Sequence, residues 1–367
     1  MNATTTPSSP VEPAVSTLSL LLILLSSLIH ASWNLASRQT KGDLAVLVGG
    51  VNLSAIIMTP IAFLVPLSGK IMDGFWLVVA SGLVHVLYMG FVGAMYSVAG
   101  GSVSLVYPVA RGTGVAFTAI LAGPILGEVV SLSGGFGVAT IVCGIAIMAW
   151  SKLGLLGPCV NYNILGRAAA VTADAQSGQV EQKEQKEHEE HEEHEEHKEH
   201  EEHKKDKKDK KNKQTTLAAT TTATKCHPKV PALLLALACG VIISSYSLLD
   251  KAGVSVMNPV HFSTGMLWVE SLCMLPLMLV FRRKQCCIAL ALRKKYIVIV
   301  GIGGTGCYLI VLYVLTLSPS SYVTALREVS VVFGAGLGVL VLKEDLTWGI
   351  IIGVVSIVVG LILIRMA

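Results

Sequence analysis

Ten apolar runs divide the chain, and each is long enough to cross a lipid bilayer as a helix. A bilayer core of roughly 30 Å requires about 20 predominantly apolar residues in helical form. Polar and turn-forming residues separate the runs, so the pattern predicts ten transmembrane helices. The predicted segments are 18–37, 44–66, 74–97, 102–124, 131–151, 230–249, 259–281, 295–316, 320–342 and 347–365.

The composition excludes a soluble protein of this size. The chain has 367 residues, of which 53% are hydrophobic and 14% charged, and its mean hydropathy is +0.65. Nearly half of the charged residues, 25 of 52, lie between Asp174 and Lys213, so the rest of the chain has too few charges for a solvated surface. We therefore expect a multi-pass integral membrane protein, with the plasma membrane and endomembranes not distinguished. The net charge of +4 is too diffuse to indicate a nucleic-acid partner.

A low-complexity tract rich in Glu, His and Lys interrupts the apolar runs between residues 152 and 229. It has almost no apolar surface to bury, which predicts a disordered or solvated linker. Its histidines recur at every third position from His188 to His203, which spreads them around a helix without fixed coordination geometry. No metal site is predicted, and weak buffering of zinc or copper by this tract is left open.

The apolar runs before and after the linker repeat one pattern. At an offset of 216 residues, charged residues and glycines of the fourth and fifth segments coincide with those of the ninth and tenth. The equivalent pairs are Arg111 and Arg327, Glu128 and Glu344, Gly137 and Gly353, and Gly144 and Gly360. A charged residue at the same depth in two membrane-length helices indicates a duplication.

Each half contains five segments, an odd number, so the second half must enter the membrane from the opposite side. The predicted fold is all-α and membrane-integral, with ten transmembrane helices arranged as two inverted five-helix repeats, an architecture common in secondary transporters. We expect an N-terminal tail over 1–17, a first repeat over 18–151, the linker over 152–229 and a second repeat over 230–367.

Three short motifs carry a resemblance to a known family. They are HASWN at 30–34, Gly-Glu at 127–128, and ALRE at 325–328 followed by LKE at 342–344. In their order, spacing and duplication they resemble the EamA-type transporters of the drug/metabolite transporter superfamily, over both halves but not over the linker. The resemblance implies a ten-helix transporter that moves small organic metabolites without ATP hydrolysis.

Ionisable residues at membrane depth are costly and therefore mark candidate functional positions. Arg111 and Arg327 could present guanidinium groups to an anionic substrate, because a planar fork suits a carboxylate or phosphate. The alternative is that protein carboxylates neutralise them. Glu270, near the centre of the seventh segment, has no basic residue within a helical turn. It is predicted either to carry a coupling proton or to pair with one of the two arginines.

The remaining candidates are structural or lie along the same cavity. Glu328 points about 100° away from its neighbour Arg327 and is expected to meet another helix. Glu128 and Glu344, at turns between helices, are predicted to cap the next helix. Three further residues are predicted to contact substrate, and they are Tyr107, Trp33 and Asn34.

The sequence favours a secondary active transporter of a small organic metabolite, working by alternating access, with proton coupling as an additional expectation. A divalent-metal carrier with the His-rich linker as a metal buffer is the alternative. No motif supports an enzyme, and no cofactor is expected. The expected partners are a small-molecule substrate and the lipid bilayer, with a homodimer left open. Basic loops favour a cytosolic linker, whereas the family habit is cytosolic termini, so the orientation is left open.

Overall fold

The computed structural model describes residues 15–40, 43–67, 71–99, 103–152, 230–342 and 347–367. Twelve helices occupy this part of the chain, and no strand occurs in it. The helices are α1 (Thr17–Gln39), α2 (Leu44–Leu64), α3 (Ile71–Ala99), α4 (Val103–Leu126), α5 (Leu132–Lys152), α6 (Val230–Val256), α7 (Pro259–Phe281), α8 (Arg283–Leu292), α9 (Lys294–Leu317), α10 (Ser320–Leu326), α11 (Val329–Leu342) and α12 (Trp348–Arg365).

Ten helical spans of the described chain are long and apolar enough to cross a membrane, and each overlaps one segment predicted from the sequence. Nine spans lie within single helices, whereas α10 and α11 together form the span Ser320–Val341. The prediction of an all-α membrane fold is therefore confirmed. The predicted linker falls almost entirely outside the described residues.

Two of the differences from the predicted segment limits are large. The sixth was predicted to end at residue 249, but α6 runs to Val256, so Asp250 and Lys251 belong to a membrane helix. The stretch 282–295, expected to be a loop, contains the short helix α8. Both differences have one cause: charged residues predict the end of an apolar helix, whereas long side chains and buried partners allow a helix to continue past them.

Both chain ends of the described part lie on the same side of the membrane unit. Arg365 at the end of α12 donates hydrogen bonds of 2.9 Å to the backbone oxygen of Val15 and to Oγ1 of Thr17. We call this the terminus side, and the opposite side, where α5 ends and α6 begins, the linker side. These contacts agree with an even number of membrane crossings.

The contacts between the two halves are symmetric: where a helix of one half packs on a helix of the other, the two equivalent helices also pack on each other. Helix α3 of the first half packs on α6 of the second. The equivalents of these two helices are α9 and α1, and they also pack on each other. Likewise α2 packs on α7 and α5 on α12, each helix against its own counterpart. This reciprocity is what a pseudo-twofold axis between inverted repeats produces.

The α5–α12 crossing shows the same symmetry at atomic distances. A Cβ added to Gly144 would lie 2.8 Å from the carbonyl oxygen of Gly353, and one added to Gly137 would lie 2.8 Å from that of Gly360. Because Gly137 is equivalent to Gly353 and Gly144 to Gly360, each of these two contacts is the symmetry mate of the other. Only glycine allows the helix backbones to approach this closely.

The ninth predicted segment is broken in its first third. The α-helix stops at Leu326 and resumes at Val329, and Arg327 and Glu328 form the turn between α10 and α11. Around this turn, the amide of Glu328 donates to the oxygen of Ala325 at 3.1 Å and that of Val331 donates to Glu328 at 2.9 Å. This tighter spacing of three residues is typical of 3₁₀ geometry. The expectation that both charged residues lie inside one continuous helix is therefore wrong.

Candidate functional site

A cavity of about 210 Å³ lies between the two halves, beside the break in the ninth span. Its walls come from α1 to α4 of the first half and from α6, α7, α9 and the α10–α11 turn of the second. Most wall residues lie at mid-helix or nearer the linker side, such as Trp33 and Ser37 late in α1 and Leu47 early in α2. The charged and histidine side chains among them are His30, His85, Arg111, Glu270 and Arg327.

Arg327 is half-buried at the end of the cavity. Its guanidinium carbon lies 5.8 Å from the ring centroid of Tyr308, which is within the range of a cation–π contact. No carboxylate within the described residues lies at ion-pair distance from it. A small second cavity of about 10 Å³, the size of one water molecule, adjoins it beside Ser26, Ser27 and Ser330. The arginine therefore offers unpaired donors in a polar recess.

Arg111, its equivalent in the first half, is bonded differently. Its Nη2 lies 2.7 Å from Oε1 of Glu328, and its Nε donates to Oε2 of the same carboxylate at 3.3 Å. Both side chains are buried. This two-point ion pair joins α4 of the first half to the α10–α11 turn of the second. Arg111 reaches the cavity wall, but the pair neutralises its charge, which is the alternative that the sequence had left open.

Glu270 is buried in α7 and forms part of the cavity wall. The structure does not pair it with Arg111, whose carboxylate partner is Glu328, nor with Arg327. No hydrogen bond or ion pair of the Glu270 carboxyl group occurs among the described residues. Its predicted role as the proton-coupling group stays a prediction.

A polar cluster of His85, Tyr308 and Asp250 lies at the cavity wall, and its aspartate was not predicted from the sequence. Asp250 of α6, only 2% exposed, accepts hydrogen bonds from Ser81 Oγ at 2.6 Å and from the hydroxyl of Tyr308. His85 of α3 lies with Nδ1 2.9 Å from the backbone oxygen of Ser81 and with Nε2 3.2 Å from the Tyr308 hydroxyl. The available signal was an aspartate within reach of an apolar run, which the predicted end of the sixth segment had placed in a loop.

The aromatic and amide candidates are only partly brought together. Trp33 and Asn34 line the cavity, and the Trp33 ring packs edge-on against His30 with centroids 5.1 Å apart. Asn34 uses its Nδ2 to donate to the backbone oxygen of His30 at 2.8 Å. Nε2 of His30 is buried without a hydrogen-bond partner in the described structure. Tyr107 lies in α4, but its side chain is outside the described residues.

Glu128 caps a helix of the opposite half. Its carboxylate accepts hydrogen bonds from the amides of Ser320 and Ser321, at 2.6 and 3.2 Å, at the start of α10. The next helix in the chain, α5, is capped instead by Ser131, whose Oγ accepts from the amide of Gly134 at 3.1 Å. The prediction that Glu128 caps the next helix is therefore wrong in its partner. Glu344 lies outside the described residues.

Polar contacts join the two halves on both the terminus side and the linker side. Beside the Glu128 cap, the hydroxyl of Tyr322 accepts from the amide of Ser131 at 2.9 Å. On the linker side, Arg293 at the start of α9 pairs with Asp43 before α2, with 2.6 Å between Nη1 and Oδ2. Since the cavity wall extends toward the linker side, the Glu128 contacts lie between the cavity and the terminus side.

Comparison with known proteins agrees with this architecture. Residues 230–366 match the EamA-like transporter family. A solved structure described only as "Crystal structure of protein" superposes with a TM-score of 0.59 at 14% sequence identity, over 95% of this chain and 98% of that one. At that identity the likeness concerns the fold alone. No curated protein matches the sequence.

The ten spans and the family match define a multi-pass integral membrane protein of the transporter class. The resemblance that the short motifs suggested is confirmed for residues 230–366, which match the EamA-like transporter family. The family is one of membrane transporters of small molecules.

Proposed function

We propose that the protein is a secondary active transporter of a small organic metabolite that carries an acidic group. The observation that carries this proposal is Arg327, a guanidinium group at membrane depth without a carboxylate partner in the described structure, facing a cavity between two inverted repeats. A charge in such a place is expensive to maintain and is usually kept for function. A carboxylate or phosphate of the substrate supplies the missing partner.

The size of the cavity limits the substrate. Pockets for drug-sized ligands have volumes of roughly 300–1,000 Å³. The cavity of about 210 Å³ favours a smaller molecule, of the size of an amino acid or a short organic acid. Glu270 on the same wall adds a site for an amino group, which makes a zwitterion the favoured class.

Alternating access follows from the symmetry of the packing. The contacts between the halves occur in pairs that exchange with each other, so rocking one half against the other exchanges which side is closed. The Glu128 cap then belongs to the arrangement in which the terminus side is closed. Opening that side requires the amides of Ser320 and Ser321 to lose their carboxylate acceptor.

The alternative of a divalent-metal carrier has no support among the residues that the structure describes. Among the described residues, no group of three or more His, Cys, Asp and Glu side chains could hold a metal ion. The His-rich linker lies outside the described residues, and a metal role for it stays a prediction.

Transport by purified protein in proteoliposomes tests the proposal. The panel consists of L-alanine, propionate, ethylamine, L-glutamate and glycerol 3-phosphate, so that the carboxylate, the amine and the phosphate are varied separately. We expect uptake of at least one acidic member and loss of that uptake in Arg327→Gln, with normal insertion in the membrane. Uptake of ethylamine alone, or wild-type uptake by the variant, would contradict the role of Arg327.

A further inference from the structure

The cluster of His85, Asp250 and Tyr308 spans both halves of the transporter. His85 belongs to α3 of the first half, and Asp250 and Tyr308 belong to α6 and α9 of the second. His85 and Tyr308 also reach the cavity wall, whereas Asp250 lies behind them, 2% exposed. No Lys or Arg side chain of the described structure forms an ion pair with Asp250. A buried carboxyl group without a cationic partner is stabilised by hydrogen bonds. The geometry of the cluster determines how many protons these hydrogen bonds require.

The ring of His85 is fixed in one tautomer by its backbone contact. Nδ1 lies 2.9 Å from the carbonyl oxygen of Ser81, and a carbonyl oxygen only accepts. Nδ1 therefore carries a hydrogen, and Nε2 is the atom whose protonation varies. Nε2 faces the Tyr308 hydroxyl at 3.2 Å, and the same hydroxyl contacts Oδ2 of Asp250.

The Tyr308 hydroxyl has one hydrogen for two neighbours. Both of its contacts are hydrogen bonds in only two arrangements. Either a protonated Nε2 of His85 donates to Tyr308, which donates to ionised Asp250, or protonated Asp250 donates to Tyr308, which donates to neutral His85. Each arrangement contains one proton more than neutral His85 together with ionised Asp250. If that proton is lost, one contact faces two lone pairs, which is unfavourable for buried groups.

The charged and titratable groups around the cluster lie on several helices, and α1 brings His30, whose Nδ1 is 3.8 Å from Sγ of Cys307, the residue before Tyr308. Tyr246 of α6 stacks on His85 with centroids 4.3 Å apart, and Glu270 of α7 shares the cavity wall. Lys251 follows Asp250, but its Nζ donates to the backbone oxygens of Leu315 and Ser318 at 2.6 and 3.0 Å. The Arg111–Glu328 pair is internally neutral. Arg327, over the Tyr308 ring, is thus the cation that responds to the charge of the cluster.

The position of Arg327 couples the proton to the substrate. With its extra proton the cluster has no net charge, and Arg327 is available to an acidic group in the cavity. Without it, the cluster carries one negative charge that attracts the same guanidinium. Proton and acidic substrate therefore favour each other's binding, and by linkage the effect is reciprocal.

We propose that His85, Tyr308 and Asp250 form the proton-carrying site of this transporter, which takes one proton from the water on one side and releases it on the other together with an acidic substrate. This inference rests on the proposed function for its coupling, and it assigns the coupling proton to this cluster instead of Glu270. The asparagine variant of Asp250 is a useful probe. Its amide donates to Tyr308 and its oxygen accepts from Ser81, which copies the protonated arrangement without a removable proton.

The first experiment needs no substrate. Infrared difference spectra between mildly acidic and mildly alkaline pH are recorded for the protein in nanodiscs. We expect one protonation signal that disappears in both Asp250→Asn and His85→Gln, because the proton is shared. Tyr308→Phe keeps the ring beneath Arg327 but removes the bridging hydroxyl. We expect this variant to show two independent protonation signals, one from His85 and one from Asp250, in place of the single signal. Spectra of Asp250→Asn and His85→Gln that equal the wild-type spectrum would overturn the proposal.

The second experiment separates coupling from transport. Proteoliposomes are loaded with L-alanine or L-glutamate from the panel above, and accumulation driven by a pH gradient is compared with exchange at equal pH. In Asp250→Asn we expect the gradient-driven accumulation to fall to the level seen without a gradient, while exchange continues. The matched control is Asp73→Asn, an exposed carboxylate in the first turn of α3, which should keep the response to the gradient.

The two experiments distinguish the possible failures. If the wild-type protein transports no acidic panel member, the proposed function fails, and the infrared result still decides where the proton lies. If transport occurs but Asp250→Asn retains its gradient-driven accumulation, the function stands and the proton site is wrong. If Glu270→Gln loses gradient-driven accumulation and Asp250→Asn keeps it, Glu270 is the proton-coupling group.

Discussion

Arg111 and Arg327 occupy equivalent positions in the two repeats and have opposite surroundings. Arg111 is buried and held at two points by Glu328, at 2.7 and 3.3 Å. Arg327 is half-buried, lies over the Tyr308 ring and has no carboxylate partner in the described structure. The repeat thus places two guanidinium groups at one depth, and the fold neutralises only one of them.

The reason is visible in the residue that follows each arginine. Glu328 follows Arg327, whereas the equivalent position after Arg111 is Gly112. The repeat thus supplies one neighbouring carboxylate for two arginines, and the turn between α10 and α11 directs it across the interface to Arg111. We infer that one arginine became a structural tie between the halves and the other was left for a ligand.

The largest effect is expected from Glu328→Gln, which leaves Arg111 buried without a charge partner. Removing one member of a buried ion pair costs about 3–5 kcal/mol, because the other charge stays buried. We expect the purified protein to lose its folded, monodisperse form at a clearly lower temperature. Replacing Arg111 by Gln in the same protein should restore most of the loss. A Glu328→Gln protein as stable as wild type would show that the pair is not a structural tie.

Lysine substitutions at the two arginines should differ in how much they destabilise the protein, by a smaller amount than in the preceding prediction. In Arg111→Lys the ammonium group cannot reproduce the two-point contact, and part of the Glu328 carboxylate is left unsatisfied, at a cost of about 1–3 kcal/mol. Arg327→Lys breaks no ion pair of the described structure and should unfold close to the wild-type temperature. Thermal unfolding of both variants in the same detergent provides the measurement. Equal destabilisation by both would contradict the comparison.

Glu128→Gln tests whether the cap that precedes Arg327 also controls access. Gln keeps an acceptor for the amides of Ser320 and Ser321 but loses the charge that favours a helix N-terminus, an effect of about 0.3–1 kcal/mol. We expect a larger population open on the terminus side. Spin labels at the exposed positions Ser133 and Thr316 report it as a longer distance. An unchanged distance distribution would show that the Glu128 cap does not control opening of the terminus side.

The smallest effect concerns α8, which has no counterpart among the described residues of the first half. Cys287 is exposed, whereas burial, with contributions from Cys287 and the Asp43 carboxylate, raises the pKa of the Cys286 thiol. Because the thiolate is the reactive form, a raised pKa leaves less of it at neutral pH. We expect a maleimide to react faster with Cys287, in the Cys286→Ser protein, than with Cys286, in the Cys287→Ser protein. The rate at Cys286 should increase more steeply as the pH rises. Equal rates at neutral pH would contradict this assignment.

The sequence was sufficient for the ten spans and the repeat because both depend on local composition and spacing. Arg-Glu is compatible with a helix by propensity, so the break at Arg327 could not be seen, and its cause lies in tertiary contacts. The same holds for Glu128, whose acceptor role was predicted while its partner, α10, lies 192 residues away. Asp250 was missed because a charged residue beside Lys251 resembles the end of a membrane segment.

The central claim is that Arg327 binds the acidic group of the substrate. The most direct measurement compares L-alanine with ethylamine, which lacks the carboxylate, as competitors of transport in wild-type and Arg327→Gln proteoliposomes. A charge-assisted hydrogen bond contributes about 1.5–3 kcal/mol, which corresponds to a preference of roughly 10- to 100-fold for the acid. We predict this preference in the wild type and its disappearance in Arg327→Gln. A variant that still prefers L-alanine by the wild-type factor would show that another group binds the carboxylate.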